Sequence, residues 1–279
     1  MFNIKIGSLQ VSDLDLNTKK ITKMKLSYKI LVIASVSFCY SCIKEKKDFL
    51  ANSYVYYADN FESYSQVDGS FYSTEGWSGA NLSNGNLISI DTIIRHSGNA
   101  SLKCIAAPTS SVVSKASVLK NNLGFTNRSL IYFSAWYYID STPLENLFIA
   151  DFEDQAYISS GPGFRLMLIG NGELAIERKK MNKSTLQQTV STHKMFPTGQ
   201  WVHVEMEVLL SKRNNGYFKI WQDGDLILEH YKEASLPKDF IYVTQGTKGI
   251  MHQLEVGISA NSSSDTATLY LDDLEITSR

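Results

Sequence analysis

PTGQWVHVEMEVLLSKRNNGYFKIWQDGDLILE, from Pro197 to Glu229, holds three extended segments and two turns in unbroken succession. Between Trp201 and Val208 the residues alternate: Val202, Val204, Met206 and Val208 share one side, while Trp201, His203, Glu205 and Glu207 share the other. That period of two belongs to a half-buried strand; a helix would scatter both sets around its axis. The polar run Ser211 to Gly216 ends in Asn214, Asn215 and Gly216, which accept hairpin backbone angles, and GYFKIW then resumes the extended apolar pattern. Asp223 and Gly224 predict a second tight turn into a strand over Asp225 to Glu229.

The same texture covers Tyr54 to Arg279, where short apolar or aromatic runs are separated by Gly, Asn, Ser and Pro clusters and no helical period outlasts two turns. The class is all-β. Fourteen strands are expected, among them Leu130 to Ile139, Leu147 to Phe152, Gly163 to Ile169 and Leu186 to Ser191, with Asn171-Gly172 as a hairpin turn. So many strands exceed an immunoglobulin-like domain and suit a large two-sheet antiparallel jelly-roll sandwich.

The N-terminus is of another kind. Residues Lys19 to Lys29 are Lys-rich, and Ile30 to Tyr40 is an 11-residue apolar run, a signal-peptide core rather than the ~20 residues that span a bilayer. Ser41-Cys42 and the charged stretch after it resemble a bacterial lipoprotein signal, which implies lipidation at Cys42 and export to a membrane, at the outer membrane or cell surface. Residues 1–42 are therefore expected to be the signal segment, with Met24 a plausible start that leaves 1–23 outside the protein. Residues 43–53 are expected to be a tether and 54–279 the folded domain. Beyond residue 41 the chain carries 21 basic and 26 acidic residues, which argues against nucleic acid as a partner. Cys104, alone after Cys42, sits on a strand-like SLKCIAA and reads as a small buried hydrophobe.

WVHVEMEV followed by GYFKIWQDGDLI is similar to the strand and DG-turn signature of concanavalin A-like and laminin-G-like sandwiches. DNFESY at Asp59 to Tyr64, HSGNASLKC at His96 to Cys104 and LYLDDLEI at Leu269 to Ile276 resemble the first and last strands of such domains. The superfamily contains lectin-like modules, glycoside hydrolases and polysaccharide lyases, and the fold does not choose among them. It implies a polysaccharide or oligosaccharide partner lying across one sheet.

In IYFSAWYYI the core set is Ile131, Phe133, Ala135, Tyr137 and Ile139, which leaves Tyr132, Trp136 and Tyr138 on the other face as a platform for sugar rings. In LFIADFED, Phe148, Ala150 and Phe152 read as core and Ile149, Asp151 and Glu153 as outward. Two carboxylates at i and i+2 can serve retaining glycoside hydrolysis, although the three-acid strand of the superfamily's hydrolases is broken by Ile149. Arg165 alternates with Phe164 and Leu166, so it too points outward, and with Tyr138 or His203 as base it could serve a lyase. The Gln-apolar-His and Tyr-x-Lys strands of the alginate-lyase branch are absent. His203, Glu205 and Glu207, spaced two apart on a strand, are too splayed to grip one zinc.

In LYLDDLEI the alternation slips by one at Asp272-Asp273, the mark of a β-bulge. Concanavalin-like domains often hold a structural calcium between first and last strands, which implies Asp59, Glu62, Asp272 and Asp273 as its oxygen ligands. The leading reading is an exported, membrane-anchored carbohydrate-binding protein. The rivals are a polysaccharide lyase or glycoside hydrolase of the same fold and a laminin-G-like protein-interaction module.

Overall fold

Alternation along the chain becomes pairing in space in a computed structural model, which describes residues 55–73, 76–140, 144–154, 161–170, 172–179, 181, 184–236 and 250–279. Cys42, the signal and the tether lie outside the described residues, as do Asn171 of the expected hairpin turn and the start of a helical turn expected near residue 143. Among the described residues no helix is long and apolar enough to cross a membrane.

Among the described residues fourteen strands form: β1 (Val55–Asp59), β2 (Gly79–Leu82), β3 (Leu87–Asp91), β4 (Ser101–Ala106), β5 (Ala116–Lys120), β6 (Leu130–Ile139) and β7 (Leu147–Glu153), then β8 (Gly163–Ile169), β9 (Glu173–Glu177), β10 (Trp201–Leu209), β11 (Gly216–Gln222), β12 (Asp225–Glu233), β13 (Gln253–Asn261) and β14 (Ala267–Ser278). An eight-stranded sheet runs β12-β11-β10-β6-β14-β4-β3, with β1 also on β14, and a six-stranded sheet runs β2-β5-β13-β7-β8-β9. The pairings are antiparallel. The fold is the expected all-β two-sheet sandwich.

The inward residues of β6 and β10 are all fully buried, and they meet Val118, Phe152, Phe164, Leu166 and Val256 of the other sheet. Phe133 stands edge-on to Phe152 with ring centroids 5.7 Å apart, so the two sheets touch through this pair. Cys104 is buried in the same core, and burial pushes its thiol up to about 12, which makes it inert. Opposite it Gly257 has φ 106°, and a Cβ there would lie 2.7 Å from Cys104 Sγ and 2.9 Å from the Ala116 carbonyl oxygen. Only glycine lets the sheets approach so closely at this point.

The DG turn forms as expected, with Asp223 and Gly224 both at positive φ, joining β11 to β12. The expected bulge at Asp272-Asp273 is also present: the β14–β6 register shifts between Asp272 and Glu275, and Asp273 has φ 45°. One side of β14 pairs throughout with β6, while its other side is shared by β4 up to Leu271 and by β1 from Leu274. The bulge sits where one partner hands over to the next.

Two expectations are corrected, and one strand was not expected. A bulge between Phe148 and Ala150 resets the phase of β7, so Ile149 joins the core while Phe148 faces outward against Met167, Ala175 and Ala260. Leu186 to Ser191 makes a single bridge, Leu186 to Ile176, because its polar residues cannot sustain a buried ladder. GANL forms β2, an edge strand whose residues are all partly or fully exposed and carry no alternation to read.

Candidate active site

The six residues expected to form one carbohydrate site lie on opposite surfaces of the sandwich. Tyr132, Trp136 and Tyr138 alternate with core residues of β6 and face out from the eight-stranded sheet. Asp151, Glu153 and Arg165 alternate with core residues of β7 and β8 and face out from the six-stranded sheet. Arg165 therefore cannot work with Tyr138 or His203 on one sugar.

On the eight-stranded face, Trp136 stacks on His96 at 3.7 Å and on His203 at 4.7 Å between ring centroids. His203 is its direct partner on β10, and His96 is tied to Asp272 and Asp273 of β14, so the two imidazoles cover opposite faces of the indole. A sugar ring cannot lie on an indole face already occupied. Trp201 meets both His96 and Tyr138 edge-on. Tyr132 donates to Glu205, and burial together with that carboxylate raises its phenol above the ordinary value. Ser134 Oγ and His203 Nε2 share a hydrogen bond of 2.8 Å.

The acids expected to cage calcium are spent otherwise. Asp59 accepts from the Phe61 amide, Trp77 Nε1, Tyr64 and Tyr57 in a cleft of about 700 Å³ lined by β1, the segment that follows it and the bulge of β14. Glu62 accepts from the amides of Asn99 and Ala100, Asp272 from those of His96 and Ser97, and Asp273 binds the side chains of His96 and Ser97. Glu62, Asp272 and Asp273 thus clamp the loop 96–100 from two sides, and among the described residues no three of the four acids bring ligand atoms within 4.8 Å of one another.

On the six-stranded face the carboxylates are buried. Asp151 on β7 pairs directly with Glu255 on β13 and with Arg165 on β8, and Glu153 follows two residues after Asp151. Lys179 donates to Asp151 at 3.0 Å and to Glu153. Lys115 donates to both oxygens of Glu255 at 3.0 Å, and Ser117 Oγ donates to it at 2.5 Å. Asp151 and Glu255 are each only 1% exposed. Burial raises the Asp151 carboxyl, opposed by Lys179 and Arg165. Among the described residues, the only group of three acidic, imidazole or thiol ligands with donor atoms within 4.8 Å of one another is Asp151, Glu153 and Glu255, a set that could hold a metal ion. Arg165 is paired with Glu177 and lies over the Phe148 ring at 3.8 Å.

Toward the far end of β8 the same face opens into a cleft of about 500 Å³ lined by Asn146, Met167, Ile169, Glu173, Gln187 and His193 among others. Its His193 Nδ1 is 2.7 Å from Glu173 Oε2. A carboxylate on one imidazole nitrogen fixes the ring and leaves the other nitrogen to exchange protons. Sequence reasoning missed Glu173 with His193, and it missed Lys115, Lys179 and Glu255, because each pairing joins segments whose adjacency only the sheet order creates.

Residues 70–275 match the family described as polysaccharide lyase. The chain belongs to the polysaccharide lyase family. Structures similar to this family member include an endo-β-1,4-glucuronan lyase from the fungus Trichoderma reesei, 17% identical over 80% of this chain and 94% of that one, TM-score 0.58. The cellulose-induced protein Cip1 is 20% identical over 78% and 95%, TM-score 0.54, and the alginate lyase Aly36B is 10% identical over 79% and 96%, TM-score 0.51. At these identities the likeness shows a shared fold. No curated protein sequence matches the lyase family member.

Proposed function

We propose that the protein cleaves a uronate-containing polysaccharide by β-elimination on the outward face of the six-stranded sheet, with His193 as the base. Elimination removes the proton beside the uronate carboxylate and breaks the C4–O glycosidic bond. A C4=C5 double bond forms, and the leaving oxygen takes up a proton. The chemistry needs a positioned base and donors that stabilise the carboxylate as negative charge builds on it. The carrying observation is the Glu173-held His193 at an open cleft whose rim also offers the amides of Asn146 and Gln187 and whose apolar part, Met167 and Ile169, suits a sugar ring. Arg165 lies on the same face of β8 four residues from Ile169, about 13 Å at strand rise, within reach of a polymer but not of a single sugar.

Family membership favours this enzyme reading over the binding module expected from the aromatic strip. Glucuronan and alginate, named for two of the similar structures, are both uronate polymers. Hydrolysis has less support, since Asp151 and Glu153 are buried and held by Lys179.

Incubation with glucuronan, alginate and polygalacturonate should yield unsaturated uronates, seen as rising ultraviolet absorbance. His193→Ala should lower the rate by about 100-fold or more. No unsaturated product from any uronate polymer, or an unchanged rate in His193→Ala, would overturn the proposal.

A further inference from the structure

We infer that Asp151, Glu153 and Glu255 form a binding site for a hard divalent cation such as calcium or manganese, which replaces Lys179 when it binds. The inference is independent of the elimination chemistry, whose cleft lies at the other end of the face. Three carboxylates converge from two neighbouring strands, each at most 6% exposed. Two ammonium groups face them, and Arg165 is matched by Glu177, so one negative charge is left over in a buried place. Among the described residues Asp151 Oδ1 has no hydrogen-bond partner, although it is buried. A buried carboxylate oxygen without a donor costs stability that nothing else in the cluster returns, and a cation supplies what it lacks.

The ligand set also selects the ion. All three donors are carboxylate oxygens, with no thiolate or imidazole among them, which favours calcium, manganese or magnesium over zinc or copper. Glu153 Oε2 already accepts from the Gly161 amide at 3.1 Å, and Lys115 with Ser117 fixes Glu255, so two of the carboxylates are held in place before an ion arrives. Lys179 is the displaceable member, since its ammonium bridges Asp151 and Glu153 from a flexible stem. With a dication present and Lys179 withdrawn, Lys115 completes exact charge balance. The ion would then tie β7 to β13 directly and to β5 through Lys115 and Ser117.

The test uses the whole protein after treatment with a chelator. Calorimetric and thermal-shift titrations with calcium, manganese and magnesium chlorides should show one ion bound per chain and a higher Tm. Asp151→Asn should weaken binding at least tenfold. Lys179→Met should tighten it about tenfold and should lose stability that the cation restores, which a purely structural ion pair would not predict. Asp273→Asn should bind as wild type does. The inference is overturned if no cation binds wild type, if binding survives Asp151→Asn, or if Asp273→Asn abolishes it, which would place the ion at the β1–β14 end. Uptake of a single proton in place of a metal, seen as pH-dependent heat with no cation response, also overturns it. Failure of Lys179→Met to fold leaves the wild-type and Asp151→Asn titrations to decide.

Discussion

Phe133 and Trp136 are three residues apart on β6 and should answer truncation differently. Phe133 is fully buried against Phe152, so Phe133→Ala leaves a cavity and should cost about 3–5 kcal/mol in urea unfolding. Trp136 is partly exposed and loses its stacking on His96 and His203, about 0.5–1.5 kcal/mol for each ring pair, so Trp136→Ala should fold at a cost of about 1–3 kcal/mol. Equal losses in the two variants would mean that the faces of β6 are misassigned. At the cleft, Glu173→Gln should lower kcat with little change in KM, since Glu173 orients His193. On β6 the directions of Phe133 and Trp136 were legible from alternation alone, because a strand turns each side chain opposite to the last. The partners were not: Lys115 reaches Glu255 across 140 positions of sequence. Tyr132 and Asp151 both read correctly as outward, yet they look out of different sheets, and local pattern carries no record of sheet membership.

Elements with a break in polarity announced themselves, and those without one did not. The slip at Asp272-Asp273 was visible because two acids interrupt a leucine pattern, whereas the bulge at Phe148 was silent because Phe148, Ile149 and Ala150 are all apolar. Where β13 passes β4, Gly257→Ala should cost at least about 2 kcal/mol through backbone strain and the clash with Cys104, checked by thermal unfolding. On β1 and just after it, Tyr57 and Tyr64 both donate to Asp59, and burial followed by that carboxylate's charge raises their phenols, Tyr64 to about 12. The sign follows from the neutral form being favoured in the folded state. Below pH 10 both states keep the proton and nothing changes; from about pH 10 to 12 the unfolded phenols ionise first, so stability falls. Tyr64→Phe should flatten that alkaline loss, measured as Tm against pH.

At the scale of the molecule, the sandwich has two outward faces of different chemistry, one of stacked aromatic and imidazole rings and one of buried charge beside an open cleft. The larger sheet is built on long-range pairings, with Ser134 matched to Glu275 and Val55 to Ser278. Loops of that length must close before their contacts form, so refolding should take milliseconds to seconds, as stopped-flow fluorescence can check. The position of β14 adds a constraint on order. It is the last of the described strands to be made, yet β6, β4 and β1 all bind to it. On the ribosome, the β3–β4 pair and the β6-β10-β11-β12 ladder can form before it, whereas among the described strands β1 pairs with β14 alone and must wait for it. The larger sheet can therefore exist only as separate pieces at first, and they are joined in one late event, after residues 267–278 have emerged.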